Sequence, residues 1–208
     1  GHVRVTTWGY AAQDDPQAND LALRGLSGLM GELRRDAPGL VWAPRVRFGG
    51  LVDVPDAAGE TRAQAPVAGL AVDLLSAGSA ERRTLNLDGA LRRGRLPAAP
   101  GEALLSDALF ERLGLRLGET VTVISSTSWG SIATANFRVA GTVRFGVSAM
   151  DRGAVLLDLA DAQAALDLED AAAEVLGLFP DGIYREDEAR SLAARLNAGR
   201  PGEGDLAP

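Results

Sequence analysis

Cysteine and lysine are both absent from this 208-residue chain, and histidine occurs once, as His2. Each absence removes chemistry. Without cysteine there is no disulfide framework, and a zinc site would rest on carboxylates beside a single imidazole. Without lysine there is no Walker A loop, whose lysine reaches the phosphates, and no Schiff-base chemistry. One histidine next to a chain end leaves no second imidazole for a hydrolytic triad, and His2 itself reads as a solvated residue near the start of a strand. No segment approaches the ~18 uninterrupted apolar residues of a membrane-spanning helix. A cysteine-free chain is compatible with either side of a membrane.

What is present bounds the rest. A chain of this length buries roughly 70% of its unfolded surface, enough for one domain or two small ones. All 21 basic residues are arginine and face 28 acidic ones, for a net charge of -7. That sign repels phosphate backbones, so nucleic acid is not the expected partner. The Pro/Gly-rich tail and the absence of an initiator Met at Gly1 read as cuts made in a longer parent.

Hydrophobic spacing gives an α+β class. After an opening strand, VRVTTW, Asn19 or Asp20 is placed to cap a helix with Leu23, Leu26, Met30 and Leu33 on one stripe, closed by Pro38-Gly39. A strand follows over 40–48, with Pro44 arguing for an edge or a bulge. Gly49-Gly50 and the polar run after them make a turn into PVAGLAVDL, whose continuous apolar character predicts a strand covered on both faces. Farther on, Ser106 caps a short helix through Leu109, Phe110 and Leu113, ended by Gly114. In ATANFRVAGTVRF, Ala133, Ala135, Phe137, Val139, Gly141, Val143 and Phe145 alternate with polar residues as in a half-buried strand. The last third predicts the strand AVLLDL, a helix over 160–168, a strand over 174–179 and a helix over 186–197. Residues 1–84 and 147–208 thus form an α/β frame, interrupted by a strand-rich block at 85–146 that reads as an insertion.

No reactive constellation stands out. Gly25, Gly28 and Gly31 lack the spacing of a dinucleotide loop and read as a helix face for close packing. The carboxylates Asp14-Asp15 fall in a loop, and Glu186-Asp187-Glu188 fall in the first turn of the last helix, where they offset its macrodipole. Arg92, Arg93 and Arg95 form the densest basic cluster, either a solvated turn or a contact for an acidic partner or lipid headgroup. The hairpin tip SSTSWGS places Ser128, Trp129 and Gly130 among small polar residues. Trp129 there is either buried against its own domain or in contact with another protein.

Taken in order, the segments resemble a known family. GHVRVTTWGY, PVAGLAVDL, then Leu91, Gly94 and Arg95 before PGEALLSDALFERLGLRLGETVTV, then FRVAGTVRFG and DRGAVLLDLADAQAAL are similar to the extracytoplasmic core domain of MacB/FtsX-type ABC transporter permeases. That group includes the lipoprotein-releasing LolC/LolE proteins. Glu119 stands where Asp is common in the family, and Leu74 follows Asp73 where proline is frequent. The resemblance implies two subdomains, a mixed α/β porter-like unit and an inserted β-rich sabre-like unit. It also implies flanking membrane helices, a periplasmic position at the inner membrane, and a second permease copy or paralogue as dimer partner. A periplasmic carrier or adaptor joins these as a further implied partner. No cofactor is implied for this piece, because ATP is bound by a separate cytoplasmic subunit or domain. The expectation is therefore a non-enzymatic relay coupling ATP hydrolysis to lipoprotein release or export. A free-standing ligand-binding or adaptor domain is the second reading, and a hydrolase working through Ser126 or Ser128 the third.

Overall fold

The computed structural model describes residues 2–12 and 18–198. The first stretch holds strand β1 (Val3–Val5) and the helical turn α1 (Trp8–Ala11), capped by the Thr7 hydroxyl accepting from the Tyr10 amide. After a 3-10 turn at Asn19–Leu21 comes the short strand β2 (Leu23–Arg24), so Leu23 and Asn19 are not part of the first long helix. That helix, α2 (Leu26–Asp36), starts only after Gly25, whose φ of 68° breaks the helical path. Leu26, Met30 and Leu33 form its buried stripe, and Arg34 and Arg35 lie in the last turn, where positive charge suits the C-terminal dipole.

Two long strands follow, β3 (Val41–Pro55) and β4 (Thr61–Val72). Of the turn expected over Gly49-Gly50 and the polar run after them, the polar run makes it, at Asp56–Glu60, where the Asp56 carboxylate accepts from the amides of Ala58 and Glu60, while Gly49-Gly50 stay in β3. Gly50 stays in the strand because another strand passes too close for a side chain: a Cβ there would sit 2.1 Å from the Ile124 carbonyl oxygen. Short helices α3 (Glu81–Thr84) and α4 (Leu87–Ala90) lead into β5 (Leu91–Gly94), β6 (Glu102–Ser106) and α5 (Asp107–Arg112). Gly114 does take the left-handed conformation, at φ 60°, that ends α5. The Ser106 side chain makes no capping bond, and its buried hydroxyl has no hydrogen-bond partner among the described residues.

The hairpin β7 (Thr120–Ser126) and β8 (Ile132–Val143) comes next, followed by α6 (Ser148–Asp151), β9 (Ala154–Asp158) and α7 (Leu159–Ala165). Strands β10 (Ala171–Ala172) and β11 (Glu174–Leu178) and helix α8 (Glu186–Ala198) complete the described chain.

Pairing turns the middle of the molecule into a closed ring. Strand β3 pairs with β4, β4 runs parallel to β9, β9 pairs with β6, β6 runs parallel to β8, β8 pairs with β7, and β7 returns to β3. Alternation along the ring strands sorts side chains by face. Ala103, Leu105, Val155 and Leu157 join Val46, Phe48, Val52, Val121, Val123 and Phe137 in the main core, while Leu104, Ala154 and Leu156 pack outward against Leu87 and Ala90. Both faces of β6 and β9 are therefore buried.

Strand β3 also belongs to a second unit. Its first residues, 41–45, pair with β11, which in turn pairs with β1; from Val46 onward β3 pairs with β4. Helices α2 and α8 cover this outer lobe, where Val3, Val5, Met30, Leu33, Trp42, Val175, Leu192 and Leu196 share a core of their own. Pro44 sits where β3 has a ladder partner on one side, β11. The block 85–146 supplies β6, β7 and β8 to the ring, and the segments on either side of it supply β3, β4 and β9.

Candidate partner-contact site

The β7–β8 turn is built from its own hydroxyls. The Thr127 side-chain oxygen accepts from the amides of Trp129 and Ser131, and Gly130, at φ 81°, lets the chain reverse. Ser128 ties the tip down: its amide donates to the Leu166 carbonyl at 2.9 Å and its hydroxyl to the Asp167 carbonyl at 2.8 Å. Ser128 is 3% exposed and its hydroxyl is committed to a backbone carbonyl. Trp129 remains 72% exposed, and the guanidinium of Arg24 lies 4.7 Å over its ring. Such a contact orients the indole without covering it. Ile132, one residue beyond the turn, is 81% exposed, so the tip is the most apolar exposed point on the hairpin.

The tip also lines a polar cleft of about 730 Å³, together with Asn19, Asp20 and Gly49. Sequence reasoning cast Asn19 and Asp20 as helix caps and missed this role. The only signal available was that two polar residues lay outside the apolar stripe of α2.

Arg92, Arg93 and Arg95 lie on and just after β5, which pairs with the far end of β8. The two candidate groups are thus separated by the length of β8, roughly 30 Å at ~3.3 Å per residue. Arg93 is engaged within the chain, 3.0 Å from Asp107, paired with Glu111 and stacked over Phe110. Arg95 makes a two-pronged contact with Glu102 at 2.6 Å, and Arg138 adds a second cation to the same carboxylate. Glu102 is 3% exposed, and its hydrogen bonds from Arg95 outweigh burial and hold its pKa down at about 2. Among the three arginines, only Arg92 shows no ion pair within the described residues.

No family model and no curated protein matches the chain. Among solved structures, the periplasmic region of MacB from Actinobacillus actinomycetemcomitans aligns over 98% of this chain and 86% of that one, with a TM-score of 0.64 at 12% identity. The chain has the fold of the MacB periplasmic region. At this identity the likeness speaks for architecture, and the side chains on the MacB-like frame must be read on their own terms.

Those side chains include one further departure from expectation. His2 is half-buried: its Nδ1 accepts from the Phe179 amide at 2.8 Å, and its ring stacks on Phe179 at 5.1 Å. Glu186, Asp187 and Glu188 do occupy the first turn of α8, with Glu186 bridging to Arg190 one turn on. Asp14 and Asp15 lie outside the described residues. Gly28 and Gly31 face open space rather than a packed neighbour, since a Cβ at Gly28 would meet nothing within 4 Å and one at Gly31 only the tip of Arg35.

The most buried charges lie where the outer lobe joins the ring. Arg45 holds Glu81 through two 2.7 Å hydrogen bonds, with the two residues 7% and 1% exposed. Two residues on, Arg47 binds Glu174 at 3.0 Å, with Arg4 at 4.0 Å from the same carboxylate. None of the described helices is long and apolar enough to cross a membrane.

Proposed function

We propose that this chain is the extracytoplasmic domain of an ABC transporter permease, held on the periplasmic side of the inner membrane between membrane helices of its parent. In this reading it has no catalytic activity of its own. ATP is bound and hydrolysed by a separate cytoplasmic subunit or domain, and the membrane helices pass the resulting motion to this domain and to the copy or paralogue paired with it. The moved cargo is a lipoprotein, a peptide or a lipophilic compound, and the β7–β8 tip with Trp129 is the contact for a partner outside the chain.

One observation carries the proposal: the likeness to the MacB periplasmic region extends over 98% of the chain. The junction supports a relay role, because a strand shared by both lobes and pinned by Arg45–Glu81 moves them as one body.

The test uses the absence of cysteine. Single cysteines placed at exposed Arg92 and Arg190 accept spin labels with no competing thiol in this chain, any cysteine elsewhere in the parent or its ATPase being replaced by serine. In the full parent protein with its ATPase, distances between the two paired domains are expected to change with nucleotide state, while the distance between Arg92 and Arg190 labels within one domain stays fixed. Parent sequence with polar flanks on both sides, or inter-domain distances indifferent to nucleotide, would sink the proposal.

A further inference from the structure

The cleft beside the hairpin tip has the composition of a ligand site, and its lining narrows the ligand. About 730 Å³ is within the range of small-molecule sites, and the walls are Asn19, Asp20, Gly49, Thr127 and Trp129 with the serines of the tip. Among the described residues its one charged lining residue is Asp20, a carboxylate that repels an anionic ligand, while the nearby Arg24 guanidinium is turned to the Trp129 ring. Asn19 is 7% exposed, yet its buried Oδ1 has no hydrogen-bond partner among the described residues, a state that buried amide oxygens rarely keep.

The hydroxyls divide into two sets. Those of Ser125 and Ser128 donate to the carbonyls of Gly49 and Asp167, and Thr127 accepts from two amides, so these three hold the wall rigid. The exposed Ser126 hydroxyl makes no hydrogen bond among the described residues, and neither does the Asp20 carboxylate. Above them stands Trp129, oriented by Arg24 on one face and 72% exposed.

A ligand that fits is uncharged, carries hydroxyls around its edge, and presents a flat apolar face to an indole. A pyranose ring has those three properties. We propose that the cleft binds a neutral saccharide unit, its ring laid on Trp129 and its hydroxyls bonded to Asp20, Asn19 and Ser126. The proposal rests on the reading of the hairpin tip as a contact site and names the chemistry of what is contacted there.

The test is a titration of the chain with neutral oligomers of N-acetylglucosamine and of glucose, followed by ¹H–¹⁵N NMR at the indole N–H groups of its three tryptophans. The expected result is a shift at Trp129 and at the amides of residues 126–130, with a dissociation constant on the order of 1 mM. Trp129→Ala, at an exposed position that folding does not need, is expected to abolish the shifts at 126–130, and Asn19→Ala to weaken binding about tenfold. Trp129→Phe keeps a platform and should keep part of the affinity. Shifts confined to Trp8 or Trp42, no shift with either oligomer, or tighter binding of a sulfated oligomer each overturn the proposal. Nucleotide-dependent distances in the parent without any saccharide response would leave the transporter reading standing and remove this one. Saccharide binding in a parent with polar flanks would do the reverse.

Discussion

The ring and the junction to the outer lobe are held by opposite means. Inside the ring, aliphatic side chains and the rings of Phe48 and Phe137 fill the space, and no room is left for a methyl group at Gly50, where β7 passes close by, or at Gly69, against which the Phe48 ring lies. At the junction, Arg45 and Glu81 have been drawn out of water together and Glu174 is buried against the partly exposed Arg47, and the geometry of their hydrogen bonds compensates for lost hydration. The ring therefore fails when atoms are added, and the junction when a charge is left without its partner.

The largest effect is expected at the junction. Glu81→Ala leaves the Arg45 guanidinium buried and unpaired, at a cost of about 3–5 kcal/mol in urea unfolding. Replacing both members, Arg45→Met with Glu81→Leu, should recover most of that loss. A single variant within about 1 kcal/mol of the parent chain would break the contrast, since junction charges would then behave like surface ones. Next is Gly50→Ala in the ring, where the added Cβ meets the Ile124 carbonyl at 2.1 Å and forces β3 away from β7. We expect a loss of about 2–3 kcal/mol and faster amide exchange at Val52 and Val123.

The third test uses pH. Glu102 titrates at about 2 in the folded chain against an ordinary value of 4.5, with Arg95 as the main cause. Its folded-state pKa is depressed, so its stabilisation is present above 4.5 and is lost as pH falls towards 2. Glu102→Gln should cost about 1–2 kcal/mol at neutral pH, shrinking towards zero below pH 2, as followed by thermal melts across that window. The smallest effects are gains. Gly28→Ala and Gly31→Ala on α2 add helix propensity where nothing obstructs a methyl group, and each should raise stability by about 0.5–1 kcal/mol. A loss at either position would show that the open face of α2 is covered in solution.

Local signals were legible in the sequence where neighbours along the chain decide the structure. The alternation from Ala133 to Val139, the left-handed Gly114 after α5, and the apolar stripe of α8 through Ala189, Leu192 and Leu196 could all be read directly. What could not be read depends on distant strands. Gly49-Gly50 carries the signature of a turn, and only the passage of β7 explains why a straight strand needs glycine there. Arg93 and Arg95 form a basic cluster in sequence, but their carboxylates arrive on β6 and α5. At the candidate site Trp129 was legible as an unusual residue on a turn, whereas the cleft beside it depends on Asn19 and Asp20, more than a hundred positions earlier.

The pairing of Val3 with Gly177 has a consequence for biosynthesis. A ribosome releases β1 long before β11, so the outer lobe cannot assemble until everything between them has emerged. The ring is subject to the same delay, because β9 must arrive to bridge β4 and β6. Early strands wait unpaired while later ones are made, and β4 carries Pro66 on the stretch that β9 does not cover, which denies a stray neighbour one of its hydrogen bonds.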